Sequence, residues 1–187
     1  MRKNLGNKPF TYPQPVWIIS TYDEFGNPDA MNAAWVSIGD DHQVFLCLSN
    51  DHKTTFNIEK NKEFVVSMAT EDYVCECDYF GIASANKVND KIAKTKMHIK
   101  KAEFVNAPYF EELPISLECR LISYDKDSCH MFADIINVSV DEKVLDEKGH
   151  VDPKKVKPIT FDPFNNNYIG LGEVVAKAFN AGVKFLK

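Results

Sequence analysis

Residues 49–55 read Ser49-Asn50-Asp51-His52-Lys53-Thr54-Thr55, and residues of these types suit the holding of an anion. Hydroxyls, an amide and an ammonium group gather where a helix should start, beside the free backbone N–H groups of its first turn. That is the chemistry a phosphate needs. The same loop also reads as a plain helix start, with Asn50 or Asp51 as the N-cap, and local physics leaves both readings open. Upstream, Asn32-Ala33-Ala34-Trp35-Val36-Ser37 and Val44-Phe45-Leu46-Cys47-Leu48 read as strands joined at Gly39-Asp40-Asp41, and their ends arrive beside the polar loop. Strand backbone with Asn and Ser groups can bond the polar edge of a planar ring while apolar side chains cover its faces. This pattern is compatible with a flavin and does not require one.

Other reactive types are weighed against it. Cys75-Glu76-Cys77 places two thiols around one acid in a segment that reads as a loop, a candidate for metal binding or redox exchange. No second Cys/His cluster completes a zinc set at finger-like spacing. Cys47, Cys119 and Cys129 lie in strand-like segments and read as small hydrophobes. From Lys87 to Lys101 there are six lysines and one acid, Asp90, which is either a solvated face or a phosphate-attracting rim. His52 reads as a polar-loop residue or anion partner rather than a base, and His130 stays open. No Gly-x-Ser-x-Gly elbow, Gly-x-Gly-x-x-Gly turn or Walker sequence occurs, which disfavours a nucleophilic triad and a Rossmann or P-loop site.

The elements that must position these residues are mostly strands. Val16 to Tyr22 is β-branched and aromatic, Phe25-Gly26-Asn27-Pro28 is turn chemistry, and a return strand through Asn32–Ser37 would pair with it. Further strands are expected at Val44–Leu48, Phe64–Met68, 99–105 with Pro108 as its breaker, Ile115–Leu121 and Met131–Val140. In the last, Met131, Ala133 and Ile135 occupy one phase but Ile136, Val138 and Val140 the other, so a bulge is expected near Ile135-Ile136. A short helix should carry Thr55, Ile58 and Phe56 toward the core, and a weak basic helix should span Asn86–Lys96. Residues 141–162 read as an excursion around the barrel. Val174, Val175, Ala178 and Phe179 form an apolar stripe at helical spacing, with Gly182 as a C-cap. Such a stripe must cover a sheet or dock on a partner.

The 187 residues are 44% hydrophobic, enough for one sizeable core. A net charge of −5 weighs against nucleic acid as the general partner. No run approaches the roughly 18 apolar residues of a bilayer span, and Met1–Gly6 lacks a secretory core, so no membrane association and a cytoplasmic location are expected.

The ordered set of short matches resembles the flavin reductase-like family, the FMN-binding split-barrel group that includes flavoredoxin-type proteins. The matching pieces include Pro13-Gln14-Pro15-Val16, Asn32–Ser37, Lys53-Thr54-Thr55-Phe56-Asn57-Ile58, Ser84-Ala85-Asn86 with Asp90-Lys91, Val138–Glu142 and Tyr168–Glu173. Asp78 and Gly81 belong to the same series. The resemblance implies a single mainly β domain over 1–187, with its core at about 12–182. Its fold would be a six-stranded antiparallel FMN-binding split barrel of Greek-key type with short helices. It further implies a homodimer with FMN near the interface, passing hydride or electrons between NADH or NADPH, flavin and a downstream acceptor such as a redox protein or monooxygenase. The alternatives are an FMN-binding module or electron carrier without direct NAD(P)H turnover, and a split-barrel oxidase acting on a small amine. By the resemblance, Asn32, Ala34, Trp35 and Ser37 would lie along the ring and ribityl chain. Ser49, Asn50, His52, Lys53, Thr54 and Thr55 would surround the phosphate, and Ser84, Ala85, Asn86 and Lys87 would close the other side. Ala85 stands where many relatives have glycine, and His52-Lys53 where they often have arginine. Catalytic side chains and a metal are not expected, because the flavin itself carries hydride chemistry.

Overall fold

The computed structural model describes residues 1–186 and follows the expected succession of strands and short helices with one decisive departure. After the two-residue β1 (Gln14–Pro15), β2 (Trp17–Tyr22) turns through Gly26 into β3 (Pro28–Ala33). The chain breaks at Ala34-Trp35 and resumes as β4 (Val36–Asp40), which pairs with β5 (Gln43–Cys47). Helix α1 (Lys53–Asn61) leads into β6 (Glu63–Met68), followed by α2 (Val74–Ile82), α3 (Lys91–Thr95) and the short pair β7 (Ile99–Lys101) and β8 (Pro108–Phe110). The long strands β9 (Ile115–Asp125) and β10 (His130–Val140) come next, then α4 (Pro153–Val156), β11 (Ile159–Asp162) and β12 (Asn167–Gly170).

The expected single strand Asn32–Ser37 is therefore two strands. They lie at opposite edges of one seven-stranded antiparallel sheet of order β3-β2-β6-β9-β10-β5-β4. A two-residue connection between the two edges forces the sheet to curl until they nearly meet. The result is a split barrel, mainly β with short helices, and its main sheet has seven strands where six were expected. A second sheet, β1-β11-β12, stands beside the split.

Burial explains the apolar run in β2. Trp17 and Ile19 point into the barrel core with Phe64, Val66, Leu46 and Met131. Val16 and Ile18 point outward into a second core with Ala30, Cys77, Phe80 and Phe110. Both faces are covered, so the strand does not alternate with polar residues. In β10 the register slips between Ile135 and Asn137, which leaves Ile136 as the extra residue where the phase change called for a bulge. Excursion 141–162 wraps the barrel as expected and inserts Val144 and Val156 into its core.

Several local expectations are corrected. Helix α1 begins after His52, which has extended φ/ψ and makes no side-chain cap bond, so neither Asn50 nor Asp51 is the N-cap. Thr55 and Ile58 are buried, but Phe56 is exposed. Pro108 opens β8 instead of ending a strand, a position that needs no ladder donor from it. The basic helix is confined to Lys91–Thr95, and Lys91 is buried, its Nζ donating to the carbonyls of Ala30 at 2.7 Å and Phe80 at 2.9 Å. The lysine run is therefore not a single solvated face. The C-terminal stripe forms no helix: residues 171–177 are irregular, and Gly182, at φ −86°, precedes a short 3-10 turn instead of capping a helix. A short helix draws its stability from the surface it packs on, and Val174, Val175 and Phe179 stay exposed. No helix among the described residues is long and apolar enough to cross a membrane.

The segment around Cys75-Glu76-Cys77 is helical, not a loop. Residues two apart on a helix point in different directions, so Cys75 is exposed while Cys77 is buried. Burial pushes the Cys77 thiol up to about 12. The two thiols are thus not a chelating or exchanging pair. Burial keeps Cys77 as the unreactive thiol, so maleimide labelling followed by peptide mapping should modify Cys75 and spare Cys77. Equal modification of both in the folded protein would contradict this packing.

Candidate functional site

Where the chain steps from one sheet edge to the other, a cleft of about 310 Å³ opens. Its floor is Asn32, Ala33, Ala34 and Trp35 at the crossing. Cys47, Leu48, Ser49 and His52 supply one wall, and Asp78, Gly81 and Ile82 of α2 another. Phe161 and Tyr168 of the second sheet close the remaining side. Trp35 is 43% exposed, a large ring left at the surface of the slot.

Of the residues expected at a binding site, Asn32, Ala34, Trp35, Ser49 and His52 line this cleft. Asn50, Lys53, Thr54 and Thr55 continue from it around the start of α1. The loop of Ser84, Ala85, Asn86 and Lys87 is tied to them, since Asn86 Nδ2 donates to the Asp51 carbonyl at 3.0 Å. Lys53 and Ala85 face an adjoining hollow of about 500 Å³ that also contains Asp23, Asp29 and Lys91. Ser37 is set apart on exposed edge strand β4, opposite Phe45.

The start of α1 carries both committed and uncommitted groups. Thr54 Oγ1 donates to Asp29 Oδ2 at 2.7 Å, and Asn57 Nδ2 donates to the same oxygen at 3.4 Å. Burial pushes the Asp29 carboxyl up, opposed by the Thr54 hydrogen bond and the field of Lys91. Thr55 Oγ1 is fully buried and has no hydrogen-bond partner among the described residues. The first-turn N–H groups likewise have no intrahelical acceptor. This end of the cleft offers donors to an anion, and the positive end of the helix dipole favours one there.

The opposite wall is held by a second network. Tyr168 Oη donates to Asp78 Oδ1 at 2.8 Å, and Asn32 Nδ2 donates to the Cys77 carbonyl at 3.0 Å. Burial, reinforced by Asp78, keeps the Tyr168 phenol well above the usual tyrosine range. It therefore stays protonated at neutral pH as a donor to Asp78. A Cβ on Gly81 would lie 3.3 Å from Asn32 Cβ, so glycine lets α2 approach β3 closely. Asp78, Gly81 and Tyr168 were visible in the sequence only as parts of the family match. Phe161 carried no signal at all, because nothing local to β11 says that it faces a crossing 126 residues earlier in the chain.

The site thus joins an aromatic slot with polar floor groups to a donor-rich helix start, which suits a planar heteroaromatic ring carrying an anionic tail. The Thr55 hydroxyl, buried without a partner, fits a phosphate-bearing flavin such as FMN. Comparison with known proteins agrees: the flavin reductase like domain matches residues 10–160. The chain belongs to the flavin reductase-like family. Flavoredoxin of Desulfovibrio vulgaris (Miyazaki F) is 34% identical, with a TM-score of 0.92 over 97% of this chain and 100% of that one. Flavoredoxin from Methanosarcina acetivorans, at 24% identity, shares the fold with a TM-score of 0.89 over 99% of each chain. An uncharacterized protein of Aquifex aeolicus is 26% identical over 156 residues, 79% of each chain. Membership in this family assigns the chain a flavin-related redox role.

Proposed function

We propose that this flavin reductase-like protein is an FMN-dependent oxidoreductase working as a homodimer. It takes electrons from NADH or NADPH and passes them through the flavin to a downstream acceptor, either a redox protein or a monooxygenase. The observation that carries this reading is the junction of the aromatic slot with the start of α1, where the Thr55 hydroxyl lies buried without a partner. FMN, when bound, supplies hydride acceptance and electron release.

The protein's part is to bind, orient and shield. Trp35, Phe161 and Tyr168 would cover the ring, and Asn32 with the backbone of the Ala34-Trp35 crossing would meet its polar edge. Lys53, Thr55, Ser49, Asn50 and His52 would hold the phosphate, with Thr54 orienting the turn through its bond to Asp29. Ser84–Lys87 would close the far side. Lysine brings a point charge where arginine would bring a bidentate fork, so backbone N–H groups would carry the directional part of phosphate recognition. The 34% identity to a flavoredoxin favours a second reading, an FMN-bound electron carrier reduced by another protein.

Absorption of the protein purified with added FMN, followed anaerobically after NADH or NADPH, tests both readings. A bound flavin band that bleaches quickly with one nucleotide is the expected result and identifies the donor. A band that persists with both would transfer the conclusion to the carrier. Absence of any flavin signal under saturating FMN would overturn both.

A further inference from the structure

Two surfaces of this chain leave apolar side chains partly or wholly uncovered by the described residues. The first is the segment after β12, where Val174 is 82% exposed, Val175 98% and Phe179 fully exposed. It is attached near its root, where Leu171 N donates to the Pro158 carbonyl at 3.3 Å and Lys154 pairs with Glu173 at 2.9 Å. The second is the outer face of β5 and β10, where the Phe45 and Phe132 rings lie 5.3 Å apart. Cys47 shares that face, two residues along β5 from Phe45, and it lines the cleft. The aromatic face therefore runs into the mouth of the cleft on one side. The C-terminal segment departs from the other side, three residues after cleft-lining Tyr168.

We propose that residues 171–186 form an exchange arm. It lays Val174, Val175 and Phe179 on the Phe45–Phe132 face of a second copy of the chain and covers the mouth of that copy's cleft. This rests on the homodimer part of the function proposed above and names what builds the interface. One chain carries both an apolar arm and an apolar face, and a two-fold axis satisfies both at once because each copy gives what the other lacks. Nine extended residues reach about 30 Å, enough to leave the parent body. The exposed side chains of the arm offer on the order of 600 Å² each way, so two arms with the faces beneath them exceed the roughly 1,000 Å² of a specific interface. The arm also explains the missing C-terminal helix, since the surface that would order the stripe belongs to the partner.

The test uses the full-length chain with a photoreactive benzophenone side chain at position 175, co-expressed with an affinity-tagged copy of different mass. Sedimentation equilibrium is run in parallel. The expected result is a dimer whose cross-links join tagged and untagged chains within residues 43–47 or 130–134. Phe132→Asp and Phe179→Asp should each raise the dimer dissociation constant at least tenfold. A dimer with cross-links confined to one chain, or with both variants unaffected, would overturn the exchange arm and leave the dimer standing. A monomer at all concentrations would overturn both, while the flavin spectrum still reports separately on cofactor binding.

Discussion

Replacing Phe80 by alanine is expected to remove about 3–5 kcal/mol of folding stability. Phe80 is 1% exposed, its ring is 5.1 Å from that of Phe110, and it fills the second core together with Ile18, Ala30 and Met97. Its backbone carbonyl also receives the buried ammonium of Lys91, so the residue anchors α2 through both side chain and main chain. A loss of that size is a large share of the roughly 5–15 kcal/mol that holds a typical domain. Guanidinium unfolding monitored by circular dichroism measures it. A shift below about 1 kcal/mol would mean that the second core collapses around the cavity and does not brace the cleft wall. Because α2 carries Asp78 and Gly81 into the cleft, added FMN should recover part of the lost thermal stability by binding the folded state alone.

Gly81→Val is expected to weaken FMN binding at least tenfold, about 1.4 kcal/mol. The Cβ alone would come within 3.3 Å of Asn32 Cβ, and valine adds two methyl groups beside that tight contact. Overpacking of this kind costs about 1–3 kcal/mol, relieved by moving the helix off the strand. That movement also strains the Asn32–Cys77 bond and the Tyr168–Asp78 bond. Fluorescence titration with FMN reads the effect, and Gly81→Ala should fall between the two because it adds only the Cβ. An unchanged dissociation constant in a folded Gly81→Val protein would show that close packing of α2 on β3 does not shape the binding cleft.

Much of the strand pattern was legible locally. Alternation and β-branching located β2, β5, β6, β9 and β10, and the phase change at Ile135-Ile136 located a bulge, because strand periodicity is written in successive side chains. Helix α2 escaped detection because its buried residues, Cys77 and Phe80, are few and its exposed face includes Cys75 and Ile82. Those residues dilute the amphipathic signal. Lys91 read as one of a run that was either a solvated face or a phosphate-attracting rim, since nothing in Lys-rich sequence tells which ammonium will be enclosed by two carbonyls from elsewhere in the chain.

By itself, the sequence determined a mainly β domain, a polar anion-suited loop at the start of a helix, and, through an ordered set of motifs, the family. These are properties of composition, period and short spacing. Only the tertiary structure decided that Asn32–Ser37 divides at Ala34-Trp35 and that its halves pair at opposite edges of the sheet. It also brought Phe161 and Tyr168 to that crossing and left the C-terminal stripe without a surface in its own chain. The physical reason is that a strand's pattern specifies which face is buried but not which neighbour buries it. Pairing is settled by the curvature of the whole sheet, and the cleft exists where that curvature fails to close.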